Sequence, residues 1–308
     1  MPNNSSNPQV VRWLAQRRMW FTLSLVLTLA SVALLWGYGL RIGIDFTGGQ
    51  LLELRYLAPV ASENLRDRVT QAEAAGIIPA ASVAPTDEAS FLIRTRASSE
   101  ELDRLRTTLS EVGEWEELRF ENVGPTVGQD LTRKAIWAIV LASGAIILYI
   151  AWAFRRVPAP TNSWRFGVTA VIALLHDLLI TVGAFALLGH LFGYEVDSLF
   201  ITAMLTVMGF SVHDTIVTYD RIRENLLRNP TAPFEDVVNV SVAQTVVRSI
   251  STSLTLVLVL TTLLLLGGSS IRAFTSALLI GVIVGVYSSI FLAAQLLIVW
   301  QKVKSNRA

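Results

Sequence analysis

Six stretches of this chain are each long enough to cross a lipid bilayer as a helix and carry almost no charge. A hydrocarbon core about 30 Å thick takes roughly 20 apolar residues at helical rise. Met19–Leu40 is uncharged between Arg18 and Arg41, and Ala135–Phe154 is uncharged between Lys134 and Arg155. Phe166–Leu188 is apolar except for His176 and Asp177, and Ser198–Tyr219 except for His213 and Asp214. Ser249–Ile271 lies uncharged between Arg248 and Arg272, and Ala273–Trp300 runs uncharged to Lys302. Open backbone is not tolerated in lipid, so these stretches are read as helices. The first run is too long for a signal-peptide core and lacks a small-residue cleavage site, so it is expected to be a retained anchor.

The remaining charge is unevenly placed. Between Arg41 and Asp130 there are sixteen Asp/Glu against nine Lys/Arg, an acidic block in a chain whose overall formal charge is +1. With 52% hydrophobic and 16% charged residues, the pattern is a membrane protein around one water-soluble insert. No basic stripe with stacking aromatics occurs, which argues against nucleic acid as a partner. The chain has no cysteine. That excludes disulfides, thiolate metal sites and cysteine nucleophiles.

Lys and Arg near helix ends set the expected orientation. With the N-terminus inside, the cytoplasmic segments hold twelve: Arg12, Arg17, Arg18, Arg155, Arg156, Arg165, Arg221, Arg223, Arg228, Lys302, Lys304 and Arg307. The short outer loops 189–197 and 267–272 hold Arg272 alone. Arg133 and Lys134 run against the rule, but they adjoin a long translocated segment. Both termini are expected in the cytoplasm and residues 41–130 outside it. The corresponding segments are a tail over 1–18, a first span over 19–40, the outer domain over 41–130, five spans within 131–301 (about 135–154, 166–188, 198–219, 247–267 and 273–300) and a tail over 302–308.

Within the insert, helices are expected over Ser62–Ala75, with Ser62 as N-cap, and over Ser99–Val112, started by Ser98 or Ser99 ahead of Glu100 and Glu101. The second puts Leu102, Leu105 and Leu109 on one face. Strands are expected over Gln50–Leu57, Phe91–Thr95 and Trp115–Asn122, with a further one near Ala81–Ala84. Together they predict a small ferredoxin-like α+β sandwich. The insert has no histidine and no nucleophile–base set. It reads as a binding or coupling module, the Gly48-Gly49 pair serves a turn, and the chain is not expected to be an enzyme.

Asp177, Asp214 and Arg248 need a reason to lie in or at the membrane. A charge at mid-bilayer costs about 3 kcal/mol on insertion scales and faces protein or water. Ser211, Asp214, Thr215 and Thr218 are expected to share one helical face, and Thr245, Arg248, Ser249 and Thr252 another. Such faces can hold water and pass protons. Simpler roles stand beside this one. Arg248 can snorkel to the interface. Asp214 can be a structural hydrogen-bond acceptor. Asp177 beside His176 is open between helix–helix bonding and proton work. His213 points about 100° from Asp214 and is read as a packing residue. Gly281 and Gly285 form a GxxxG pattern that favours close helix packing.

Several motifs are then recognisable in order. Gly43-Ile-Asp-Phe-Thr-Gly-Gly49 resembles the signature that opens the outer domain in the SecD/SecF family, and Val123-Gly-Pro-Thr-Val-Gly128 its exit signature. Leu175-His-Asp-Leu178 resembles the family's His-Asp pair. The most specific is Gly209-Phe-Ser-Val-His-Asp-Thr-Ile-Val-Thr-Tyr-Asp-Arg-Ile-Arg-Glu-Asn225, in which His213 stands where Asn is more usual. The resemblance implies a six-helix transporter half of the resistance-nodulation-division class with a small extracytoplasmic domain, in the bacterial cytoplasmic membrane. It implies a SecD partner, supplied by another polypeptide or by a missing part of a fusion; Met1 and the polar start favour a separate chain. It also implies work at the SecYEG channel on translocating preproteins, and coupling to protons with no cofactor or metal. Carried over by motif, Asp214 is the proton-linked carboxylate and Arg248 the basic residue of the next span. Asp177 is a third proton-coupling candidate, and His176, Ser211, Thr215 and Thr252 are supporting polar candidates. The competing reading is half of a proton-coupled small-molecule or lipid efflux transporter, against which a single insert of about 90 residues counts. No phosphate-loop pattern supports ATP hydrolysis.

Overall fold

The computed structural model describes residues 16–87, 89–155 and 163–305. Arg12, Arg156 and Arg307, counted above for orientation, lie outside the described residues. In chain order the elements are α1 (Arg17–Tyr38), a short α2 (Ile44–Thr47), β1 (Gly49–Tyr56), α3 (Ser62–Ala74), β2 (Ala81–Asp87), β3 (Ser90–Thr95), α4 (Ser99–Ser110) and β4 (Trp115–Val123). There follow α5 (Pro125–Ala153), α6 (Ser163–Phe192), α7 (Ser198–Arg228), α8 (Phe234–Leu266), α9 (Ser269–Ser288), a π-helical turn (Ser289–Ala293) and α10 (Ala294–Ser305). The last three form one apolar rod, so six helices among the described residues are long and apolar enough to cross a membrane.

The chain divides into two compact units. One comprises Arg41–Trp137 with Glu195–Leu199, and the other holds most of the long helices.

In the small unit the four strands lie in the order β2-β3-β1-β4, all antiparallel. With α3 and α4 between strands this is the split β-α-β arrangement of a ferredoxin-like sandwich. The even residues of β1, Leu52, Leu54 and Tyr56, meet Phe91 and Ile93 of β3 and the helix residues Leu65, Val69, Leu102, Leu105 and Leu109. The Tyr56 hydroxyl donates to the Leu109 carbonyl at 3.1 Å, and burial pushes its ionisation up to about 12. The start of α4 is a capping box. Ser98 Oγ accepts from the Glu101 amide, and Glu101 accepts from the Ser98 amide. Those bonds to Ser98 hold the Glu101 carboxyl below its usual range. Helix α3 differs from expectation: Ala61, not Ser62, is its N-cap, and no side chain caps it. Gly48 and Gly49 make the turn into β1 with φ of +71° and +138°. A Cβ on either would stand 3.0 Å from backbone atoms of Pro125 or Thr95.

In the membrane unit α6, α7 and the final rod are central. Half of the apolar window of α6 and of α7, and 61% of the final one, is buried, against 11%, 6% and 11% for α1, α5 and α8. Stacked and edge-on rings of Phe154, Phe166 and Tyr219 tie α5, α6 and α7 together at 4.9–5.9 Å between centroids. The GxxxG pair packs α9 against α7. A Cβ on Gly281 would fall 2.3 Å from Val207, and one on Gly285 3.2 Å from Ser211. Bare backbone there lets two helices approach closely enough for hydroxyls to reach across.

The helices outrun their apolar stretches. Charged pairs Asp220–Arg223, Arg221–Glu224 and Glu224–Arg228 run along the extension of α7. The extension is pinned to α8 by Arg221 to Gln244 (2.6 Å) and Asn225 to Ser241 (2.8 Å). Arg248, expected near the start of the fifth helix, therefore lies well inside α8.

Candidate functional site

The site begins at Asp177 on α6, which has no solvent exposure. Its Oδ2 accepts from Ser211 Oγ of α7 and from Ser288 Oγ of α9, each at 2.6 Å. Its Oδ1 lies 3.0 Å from His176 Nδ1. The close α7–α9 packing at Gly285 puts both serines on one oxygen. The π turn continues the network: Ser289 Oγ meets Thr215 Oγ1 at 2.9 Å and donates to the Ser211 carbonyl at 3.1 Å. One turn further, Tyr219 OH meets Thr169 Oγ1 at 2.7 Å and donates to the Ala293 carbonyl at 3.2 Å. A π turn widens the helix locally, a form found often at functional sites. Here two consecutive serines serve two neighbours, Ser288 reaching Asp177 of α6 and Ser289 reaching Thr215 and the Ser211 carbonyl of α7.

Asp214 lies on a different side of α7. Ser211 and Thr215 turn toward α6 and the π turn, whereas Asp214 turns toward α8 and accepts from Ser253 Oγ at 3.3 Å. The face expected to be shared by the four polar residues is thus divided between two neighbours. The contacts Asp214–Ser253, Arg221–Gln244 and Asn225–Ser241 fix an antiparallel register for α7 and α8. That register places Thr218 level with Ser249, and both hydroxyls are buried without a hydrogen-bond partner among the described residues.

Arg248 does not meet Asp214. Its side chain is exposed, makes no ion pair among the described residues, and lines a cavity of about 600 Å³ with Trp152, Val217, Asp220 and Thr245. Thr252 is exposed and donates back to the Arg248 carbonyl at 3.0 Å, so it supports its own helix and not the carboxylate. The expected second polar face also splits, since Thr245 and Ser249 are buried while Arg248 and Thr252 are not. His213 is exposed on the outward side of α7, so it packs against no core of this chain.

Ser253, Ser288, Ser289, Thr169 and Tyr219 were not singled out from sequence. Ser288 and Ser289 are adjacent hydroxyls, but so are Thr275 and Ser276 in the same run, so the sequence does not single them out. No group of three or more His, Cys, Asp or Glu is set to hold a metal among the described residues.

Six helices with carboxylates buried at their centre, beside one small α+β domain, are the architecture of one half of a membrane transporter. Comparison with known proteins gives the family. Residues 104–303 match the family model for protein export membrane protein SecD/SecF, C-terminal. The protein translocase subunit SecF of Thermobaculum terrenum is 44% identical over 302 residues, covering 95% of this chain and 93% of that one. SecF of Synechocystis is 38% identical over 95% of this chain and 94% of that one. The crystal structure of SecDF from Thermus thermophilus, a translocon-associated membrane protein, superposes with a TM-score of 0.83 at 33% identity. That match covers 94% of this chain and 38% of the SecDF chain. The chain belongs to the SecD/SecF family of protein-export membrane proteins. It is a multi-pass membrane protein with an accessory role in protein export.

Proposed function

We propose that the chain uses the proton-motive force, together with a SecD-type unit, to promote late steps of preprotein movement through the SecYEG channel. The observation that carries this reading is the setting of Asp214. It is a carboxylate buried in an apolar bundle whose hydrogen-bond partner is a neutral hydroxyl, with the nearest helix offering Arg248 out of contact. An ionised group is held there at a cost unless it takes up a proton or gains a cation. Two states follow. With a proton, Asp214 rests against Ser253 and Arg248 stays free. Without it, the carboxylate draws Arg248 across the α7–α8 seam. A pair at 4 Å interacts by about 4 kcal/mol at an effective dielectric of 20, enough to bias two packings of helices. Protons are the coupled species and no cofactor or enzymatic step is involved.

The SecD-type partner is supported by relatives in which the region like this chain is part of a longer SecDF polypeptide. In the SecDF of Thermus thermophilus it accounts for 37% of the length. Phe210 of α7 and Val247, Ile250 and Leu254 of α8 are exposed, and such apolar faces suit a second, homologous unit across a pseudo-two-fold axis. Orientation rests on the twelve-to-one loop bias in Lys and Arg. A reporter within Ser82–Asp87 reads external and one after Arg307 cytoplasmic; the reverse pattern overturns the orientation.

The direct test is proton flux. The chain and its SecD-type partner are reconstituted in proteoliposomes with a pH dye inside. An imposed pH gradient is expected to decay through the wild-type complex and to persist with Asp214→Asn. Equal decay in both contradicts a proton-linked Asp214, and a sodium-dependent decay reassigns the ion.

A further inference from the structure

Three apolar runs end at one place. The run of α5 stops at Phe154 before Arg155, that of α7 stops at Tyr219 before Asp220, and that of α8 begins at Ser249 after Arg248. Phe154, Asp220 and Arg248 all line the cavity of about 600 Å³ between these helices. Hydrocarbon gives way to headgroups where apolar runs meet charge, so the cavity lies at the level of lipid phosphates. Tyr149 and Trp152, both exposed, stand on its α5 side, as amphipathic rings do at that level.

The polar wall of this cavity holds more cations than carboxylates. Arg221, Arg223 and Arg248 line it against Asp220 and Glu224. Both carboxylates are committed: Glu224 pairs with Arg221 and with Arg228, and Asp220 meets Arg223 at 3.4 Å. Arg248 is left without an ion pair, and Arg223 Nε is buried without a hydrogen-bond partner, among the described residues. Arg155 adds a further cation, its guanidinium carbon 4.7 Å from the centre of the Trp152 ring. Opposite these groups, Tyr149, Trp152, Ile216 and Val217 make the wall apolar. Unmet guanidinium N–H groups therefore stand beside a greasy surface at the edge of the bilayer.

We propose that this cavity seats the headgroup of one anionic phospholipid, with its phosphodiester on Arg248 and Arg223 and its acyl chains along the apolar wall. A guanidinium is planar and matches two phosphate oxygens at once, and those oxygens accept from the donors that the protein leaves unmet. Basic pockets between membrane helices suit anionic headgroups for this reason. A zwitterionic headgroup carries its own ammonium into a site already rich in cations, so phosphatidylglycerol is favoured over phosphatidylcholine. A free phosphate would satisfy the guanidiniums but leave the exposed rings and Val217 uncovered, so the occupant is a lipid. An arginine that merely snorkels needs no second guanidinium, no cavity and no ring beside it. The seat does not involve Asp214 and stands whether or not Asp214 binds protons.

Native mass spectrometry of the full chain with its SecD-type partner, stripped of lipid in detergent, tests the seat. The complex is titrated with phosphatidylglycerol or with phosphatidylcholine, and the affinity of the first bound lipid is read. In the wild type, phosphatidylglycerol is expected to bind about tenfold more tightly than phosphatidylcholine. Arg248→Gln and Arg223→Gln are each expected to weaken phosphatidylglycerol about fivefold and to leave phosphatidylcholine unchanged. Arg18→Gln is the control, an exposed arginine at the end of α1 that lines no part of this cavity. Glycerol phosphate in millimolar excess, which has the phosphate without acyl chains, is expected not to displace the lipid. Equal affinity for the two lipids in the wild type overturns the proposal, and is the outcome if a partner helix fills the cavity. So does a loss in Arg248→Gln no larger than that in Arg18→Gln, which would be the effect of any interfacial charge. Displacement by glycerol phosphate overturns it in favour of a site for soluble phosphates.

Discussion

Asp177 has no water to solvate it, and its oxygens are filled by Ser211, Ser288 and His176. Removing the carboxyl orphans those groups, at about 1–3 kcal/mol for each buried polar group left unpaired. Asp177→Ala is therefore expected to lower the thermal unfolding midpoint of the purified protein well below that of Asp177→Asn, which keeps an acceptor oxygen. Equal midpoints would show that the network contributes little to stability. At this scale the carboxylates were legible, because a charged side chain in an apolar run is expensive and has to be explained. The hydroxyls that partner them were not. Serine and threonine in a membrane helix can satisfy themselves on their own i−4 carbonyl, as Thr206, Thr255 and Thr262 do here. Nothing in composition separates those from Ser253 or Ser288, which reach across to another helix.

The long helices are set by two different forces, and hydropathy reports one of them. Lipid selects the apolar runs, which were readable as six spans. The extensions at Asp220–Arg228 and Phe234–Val247 are held by side-chain pairs outside those runs. A hydropathy reading therefore stops short, and it placed Arg248 at a helix start instead of inside α8. The π turn also escaped, since it depends on packing of Ser289 and Ala293 against α7 and on no local propensity. The glycine pair of α9 was readable, and it makes a sharp prediction. Gly281→Val forces a side chain into Val207, and overpacking of this kind costs about 1–3 kcal/mol. Gly144→Ala on α5, where an added Cβ meets nothing within 4 Å, is the control. Unfolding in detergent is expected to be easier for Gly281→Val and unchanged or harder for Gly144→Ala. Equal behaviour would remove close α7–α9 packing as the basis of the Asp177 network.

For the molecule as a whole, the division into six membrane helices and one acidic insert was legible from the placement of charge and apolar runs, and the α+β character of the insert from its helix and strand patterns. In the small unit, the strand that pairs with β3 at the sheet edge, Ala81–Asp87, was the least certain from sequence because Pro85 interrupts its pattern. The joining of Glu195 to Arg94 was not legible, because residues far apart in sequence meet there only through the fold. Exposed apolar faces on α1, α5 and α8 suit lipid and a second helical unit. The proton account concerns the complex with such a unit. Its central claim is that the charge state of Asp214, answered by Arg248, drives the energised part of export. The most direct measurement is preprotein export in inverted vesicles carrying the complex, with and without an ionophore that collapses the proton gradient. Asp214→Asn and Arg248→Met, at matched expression and with the partner still bound, are expected to export only at the level that wild type reaches with the gradient collapsed. Wild-type, ionophore-sensitive export by Asp214→Asn would contradict the account and leave Asp214 a structural residue.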